Sequence, residues 1–277
     1  MPDWFADLIT WNPLIQLGCA VWNWCMKLVA ALFVLQPTTI GEGEPWAELT
    51  VNIYPVFLSV GVSLLAIFFL IGFCRESADL RQSLTFEKSA MLFLRFVAAS
   101  FVVTSIMTWI PQLFSMAANL SIADFAATEF DPVELGAQAG GIFKLGDISI
   151  WFLSLIFLLA AAICGLLIVL TIYRRYLNLM LIVVMAPPAL ATAAGGPGLS
   201  RSAGAWVRTF LGTCFEIVVI SIALKIGCSL IGNGRILTQI VDLDSPEAAI
   251  FEMIFSMVLL VGAVQGAEAL LRRAFAF

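Results

Sequence analysis

The 277-residue chain has no histidine, and only 12% of its residues are charged. The missing histidine removes the side chain that titrates nearest neutral pH, the commonest general base and the commonest metal ligand. The six cysteines, Cys19, Cys25, Cys74, Cys164, Cys214 and Cys228, lie in or beside apolar segments without any Cys-x-x-Cys spacing. They read as small residues in helix packing rather than as a metal or redox set. Gly195-Gly196-Pro197-Gly198 is not followed by the Lys and Ser/Thr of a phosphate-binding loop. No internal repeat is visible. The N-terminus, Met1-Pro2-Asp3-Trp4 with Asp7, lacks a basic region ahead of a compact apolar core, so it does not read as a cleavable signal. No catalytic residue, metal or cofactor is expected.

What the chain does have is apolar length. It is 61% hydrophobic, with a mean hydropathy of +1.02. Globular domains are roughly half apolar and about a quarter charged. The composition predicts an all-α polytopic membrane protein. Five runs, at about 51–74, 90–116, 148–172, 206–231 and 248–271, meet the ~20 residues needed to cross a bilayer. They form a single transmembrane domain over 51–277. Ahead of it, in residues 1–50, Trp4, Leu8, Trp11, Ile15 and Trp22 recur at helical spacing, interrupted by Asp3, Asp7, Asn12, Gln16, Asn23 and Lys27. Trp4, Trp11, Trp22 and Trp24 are half of the eight tryptophans, and tryptophan concentrates at headgroup level. Residues 3–34 therefore read as an amphipathic interfacial helix, with an ordinary span at 14–35 as the alternative.

The stretch 173–208 is anomalous. Tyr173-Arg174-Arg175-Tyr176 is followed by a mostly apolar run, Leu177 to Met185, which brings the chain to Ala186-Pro187-Pro188 only ten residues past Tyr176, then by small residues to Gly195-Gly196, and by Arg201 and Arg208. Ten residues make about 15 Å of helix, half of a ~30 Å bilayer core. The double proline removes two backbone donors. This predicts a broken, re-entrant segment over about 176–195, shielded by protein or lining a wet cavity.

Loop charge supports that topology. Arg75, Arg81 and Lys88 follow the first span, Arg174 and Arg175 the third, Arg201 and Arg208 the break, and Arg272 and Arg273 the last span. The loops at 121–147 and 235–247 are acidic. A re-entrant break puts every arginine cluster in the cytoplasm, giving five crossings, a cytoplasmic C-terminus and an extracytoplasmic N-terminus.

Arg95, Glu216 and Lys225 lie well inside spans, where charge is costly and faces protein or water. Glu216 and Lys225, nine positions apart, face opposite sides of one helix at about 100° per residue. Arg95 lies seven residues past Lys88 and Glu216 eight past Arg208, so both sit about 10–12 Å in from the cytoplasmic face. The matched depth predicts an Arg95–Glu216 contact, or a polar conduit lined by one or both. Lys225 lies nearer the outer end and snorkels. Gly262 and Gly266 form a Gly-x-x-x-Gly pair, and Ala161 and Gly165 a similar one, suited to helix packing.

The layout resembles the TrbL/VirB-type polytopic inner-membrane family of type IV secretion and conjugation systems, especially its short Gram-positive members. The likeness runs from the tryptophan-rich start through Cys74-Arg75-Glu76, Phe86-Glu87-Lys88 and the basic Arg95. It is sharpest from Tyr173-Arg174-Arg175-Tyr176 through Ala186-Pro187-Pro188 to Trp206, Phe210, Cys214 and Glu216. It implies a non-enzymatic channel or platform subunit in the bacterial cytoplasmic membrane, forming a homo-oligomeric ring with a bitopic scaffold protein and a transport ATPase around a DNA–protein substrate. A small secondary transporter or ion channel, a membrane enzyme and a structural subunit without a conduit are the competing readings.

Overall fold

The computed structural model describes residues 13–78, 86–120, 148–196, 198–232 and 246–274, and every regular element among them is helical. Helix α1 covers Pro13–Val34. A 3-10 turn, Ile40–Gly43, leads into α2, Glu44–Glu48, and a π-helical turn, Leu49–Ile53, joins it to α3, Tyr54–Ala78. Next come α4, Phe86–Leu120, and α5, Ile148–Val184. The short α6, Ala186–Ala191, and a 3-10 turn, Thr192–Gly195, precede α7, Ser200–Gly232, and α8, Pro246–Ala274. Among the described residues, six helices are long and apolar enough to cross a membrane, so the chain is an all-α polytopic membrane protein, as composition predicts. Helix α3 shows why water is the wrong solvent. Val56, Val60, Ile67, Leu70 and Phe73 are exposed on it, and only 17% of its most apolar window is buried. A helix apolar all round needs lipid or protein on every side.

The residues sort into two compact units that do not follow chain order. The first holds α1, residues 148–174 of α5, 218–232 of α7 and 246–270 of α8. Helix α1 buries Ile15, Gly18, Cys19, Trp22, Cys25, Met26, Val29, Leu32 and Phe33, a face recurring at three and four residues. A Cβ on Gly18 would stand 2.7 Å from the Phe157 ring, and one on Gly165 would stand 2.8 Å from the Cys25 sulfur. The contacts advance together along both chains, so α1 and α5 run parallel, pressed close by glycine. This differs from an interfacial helix over 3–34. Residues 1–12, with Trp4 and Trp11, lie outside the described ones. The rest form a helix with bounds close to the alternative span at 14–35, packed along its length on a neighbour.

The second unit holds residues 35–120, 175–217 and the end of the chain. Trp46 of α2 meets Phe114 with ring centroids 5.9 Å apart, and Phe69 of α3 meets Phe96 at 4.7 Å, so the α2–α3 stretch runs antiparallel to α4. Their shared core, with Leu65, Val103, Ile106 and Ile110, also takes in Leu179, Val183, Leu190 and Phe210.

The expected helix end at 172 is not there. Helix α5 runs unbroken through Tyr173-Arg174-Arg175-Tyr176 for 37 residues, about 55 Å of helix. Arginine is a good helix former, so the charged pair marks a change of neighbours rather than an end. The interruption falls at Met185, where the prolines force it.

Candidate functional site at the broken helix

Pro187 and Pro188 cannot supply the N–H groups that the Val183 and Val184 carbonyls would take in a continuous helix. Around the gap the backbone re-forms with Met185 N–H donating to the Leu181 carbonyl at 3.3 Å and Ala189 N–H to the Met185 carbonyl at 3.2 Å. The Trp206 indole N–H donates to the Ile182 carbonyl at 3.0 Å. A neighbouring helix thus adds a hydrogen bond beside the break, the condition for irregular backbone at membrane depth. Trp206 also stacks on Phe210, with centroids 5.1 Å apart and planes at 5°.

Ala186, Pro187, Gly195 and Gly196 are buried and Pro188 half-buried. They pack on α3 through two glycines. A Cβ on Gly61 would stand 2.6 Å from Pro187 Cβ and 2.8 Å from its carbonyl carbon, and a Cβ on Gly72 would stand 3.3 Å from the Gly195 carbonyl. The segment therefore runs parallel to α3. The two glycines are eleven residues apart, about 20° past three turns at ~100° per residue, which puts them on one face.

The prediction that this segment turns back halfway is corrected by its course. Arg175 lies against Thr213 and Cys214, and Ile182 against Trp206, so the end of α5 approaches the start of α7 antiparallel. Ser200 N–H then donates to the Gly196 carbonyl at 3.2 Å, which places Gly196 at the start of α7. From Arg175 to Gly196 the chain advances in one direction. The double proline kinks the path without reversing it, because the small residues after it dock on α3.

The arginines separate sharply. Arg174, Arg201, Arg208 and Arg273 are exposed, as basic anchors would be, while the Arg272 side chain lies outside the described ones. Arg175 is 4% exposed. Its Nε donates to the Thr213 carbonyl and its Nη2 to the Cys214 carbonyl, both at 3.2 Å. Its guanidinium carbon lies 5.3 Å from the centre of the Tyr176 ring, and the Tyr176 hydroxyl donates to the Leu35 carbonyl at 3.0 Å. Nη1 is buried with no hydrogen-bond partner. Half-buried Glu216 acts electrostatically on this cation. Arg175 is thus an internal charge rather than a surface anchor, twelve residues along α7 from Arg201 when measured at Thr213, or about 18 Å.

Arg95 is exposed and stands elsewhere. Its Nη1 lies 4.0 Å from where a Cβ on Gly196 would be, and the Arg75 Nη1 lies 3.5 Å from the same point on Gly198. Arg95 thus borders the glycine turn, whereas Glu216 adds its negative charge to the surroundings of Arg175. Lys225 is exposed. The two small-residue pairs also part company. Gly165 packs on Cys25, while Cβ atoms on Gly262 and Gly266 would meet nothing within 4 Å.

Sequence reasoning missed Gly61 and Gly72, although their shared face was legible. It had no signal for the burial of Arg175, which depends on α7. Searches against protein-family models, curated proteins and solved structures find no match to this chain.

Proposed function

We propose that the chain is an integral channel or platform subunit of a conjugative type IV secretion system in the bacterial cytoplasmic membrane, supporting passage of a DNA–protein substrate. One coincidence carries the reading. The stretch that most resembles the TrbL/VirB-type family, Tyr173 to Glu216, is also where the helix breaks, docks on α3 and buries Arg175. A discontinuous helix shielded by its own protein can line or plug a passage. Helices α3, α4, α5 with its kinked continuation, α7 and α8 make the five crossings. Arg75, Arg201, Arg208 and the C-terminus then face the cytoplasm, and the acidic loops face outward. Copies of the chain assemble into a ring through outward faces such as Gly262 and Gly266, together with a bitopic scaffold protein and a transport ATPase. No catalytic step falls to this subunit.

A small secondary transporter or ion channel is the second reading, favoured by the same broken helix, since transporters build binding sites from such interruptions. Deletion in the native host followed by a mating assay separates the two. Conjugative transfer is expected to fall to background and to return with the wild-type chain. Undiminished transfer, with solute uptake by purified protein in liposomes, would assign the chain to the transporters.

A further inference from the structure

Two arginines from different helices reach one glycine turn, and a third follows it in sequence. Arg75 lies near the end of α3, Arg95 within α4 and Arg201 in the first turn of α7. The guanidinium nitrogens of Arg75 and Arg95 stand 3.5 Å and 4.0 Å from the vacant Cβ positions of Gly198 and Gly196. Gly196 has φ 82° and ψ −169°, a region open essentially to glycine alone, and Gly198 has φ 106°. A side chain at either position would be strained and would point into the space that the arginine tips border. The turn leads directly into the N-terminus of the 33-residue α7, whose dipole adds positive potential. Arg75 ends the apolar stretch of α3, and Arg95 lies five residues inside that of α4, about 8 Å along the helix. From such positions arginine side chains snorkel to the headgroup level.

We propose that Arg75 and Arg95 at Gly196 and Gly198, with Arg201 in the adjoining first turn of α7, bind the phosphate of an anionic phospholipid headgroup. Basic recesses between transmembrane helices suit such headgroups, and guanidinium groups grip phosphate oxygens in pairs. The bound lipid would tie the ends of α3 and α4 to the exit of the broken helix. The inference depends on membrane embedding and not on which cargo the protein serves.

Native mass spectrometry of the full-length detergent-purified chain, delipidated and titrated with phosphatidylglycerol, cardiolipin or phosphatidylcholine, tests this. The anionic lipids are expected to bind in preference to phosphatidylcholine. Arg75→Gln, Arg95→Gln and Arg201→Gln should each lower affinity about fivefold, and the triple variant about a hundredfold. Arg174→Gln, away from the turn, should not. Gly198→Asn, among the side chains least strained at positive φ, fills the space, so it should weaken binding with every arginine present. Circular dichroism confirms that each variant keeps its helices. Equal binding of phosphatidylcholine, or anionic preference surviving in the triple variant, overturns the proposal. Release of the lipid by millimolar inorganic phosphate would assign the turn to a soluble anion. Tighter binding of a single-stranded oligonucleotide would assign it to nucleic acid. Either result also overturns it.

Discussion

Arg175 and Arg95 are both arginines within apolar stretches, and they are handled in opposite ways. Arg175 is enclosed, held by two carbonyls of α7, a tyrosine face and the field of Glu216. Arg95 stays exposed and reaches toward a glycine turn. The difference lies in what the neighbouring helix presents, which for Arg175 is carbonyl oxygen and a carboxylate and for Arg95 is open space beside glycine.

The sharpest way to break this comparison is to remove both charges in turn. Arg175→Leu removes the guanidinium donors to the Thr213 and Cys214 carbonyls and should destabilise the purified protein by about 1.5–3 kcal/mol for each hydrogen bond lost, read as a large fall in thermal midpoint by size-exclusion. Arg95→Leu should lower that midpoint little, and equal losses would end the distinction. A charge swap sharpens it further. Glu216→Arg with Arg175→Glu should recover part of the lost stability. The pairing suggested by depth makes the opposite claim, that Glu216→Arg with Arg95→Glu rescues.

The docking of the break gives the next largest effect. Gly61→Ala places a methyl group against the Pro187 backbone and should cost about 1–3 kcal/mol. Gly72→Ala meets Gly195 at a looser 3.3 Å and should cost less, so the order of the two midpoints is the test. Trp206→Phe keeps the ring but loses the hydrogen bond to Ile182, worth about 1 kcal/mol. Smallest of all, Gly262→Ala meets nothing in its own chain and should leave the monomer within about 0.5 kcal/mol of wild type. A fall in oligomer size by native mass spectrometry, with an unchanged midpoint, would show that this face joins copies.

Much of the architecture was legible because lipid imposes one requirement on every residue in a span. The runs near 51–74, 90–116, 206–231 and 248–271 became α3, α4, α7 and α8, since apolar length is a local property. The double proline marked an interruption because the lost donors are written into the residue itself. The boundary at 172 failed because Arg174 and Arg175 were read as a loop. Nothing in a single sequence says that α7 turns its Thr213 and Cys214 carbonyls toward them. The interfacial helix expected over 3–34 rests on a tryptophan spacing that includes Trp4 and Trp11, outside the described residues; within 13–34, Gly18 and Gly165 let α1 lie against α5.

By itself, then, the sequence determined the solvent, the helical class and the place where the backbone must break, because hydropathy and missing N–H groups act residue by residue. Only the tertiary structure decided which arginine is buried, which way the broken helix runs and which glycines carry its docking. Those outcomes depend on atoms supplied by helices distant in the chain, and burial, clash and hydrogen bonding exist only once those helices meet.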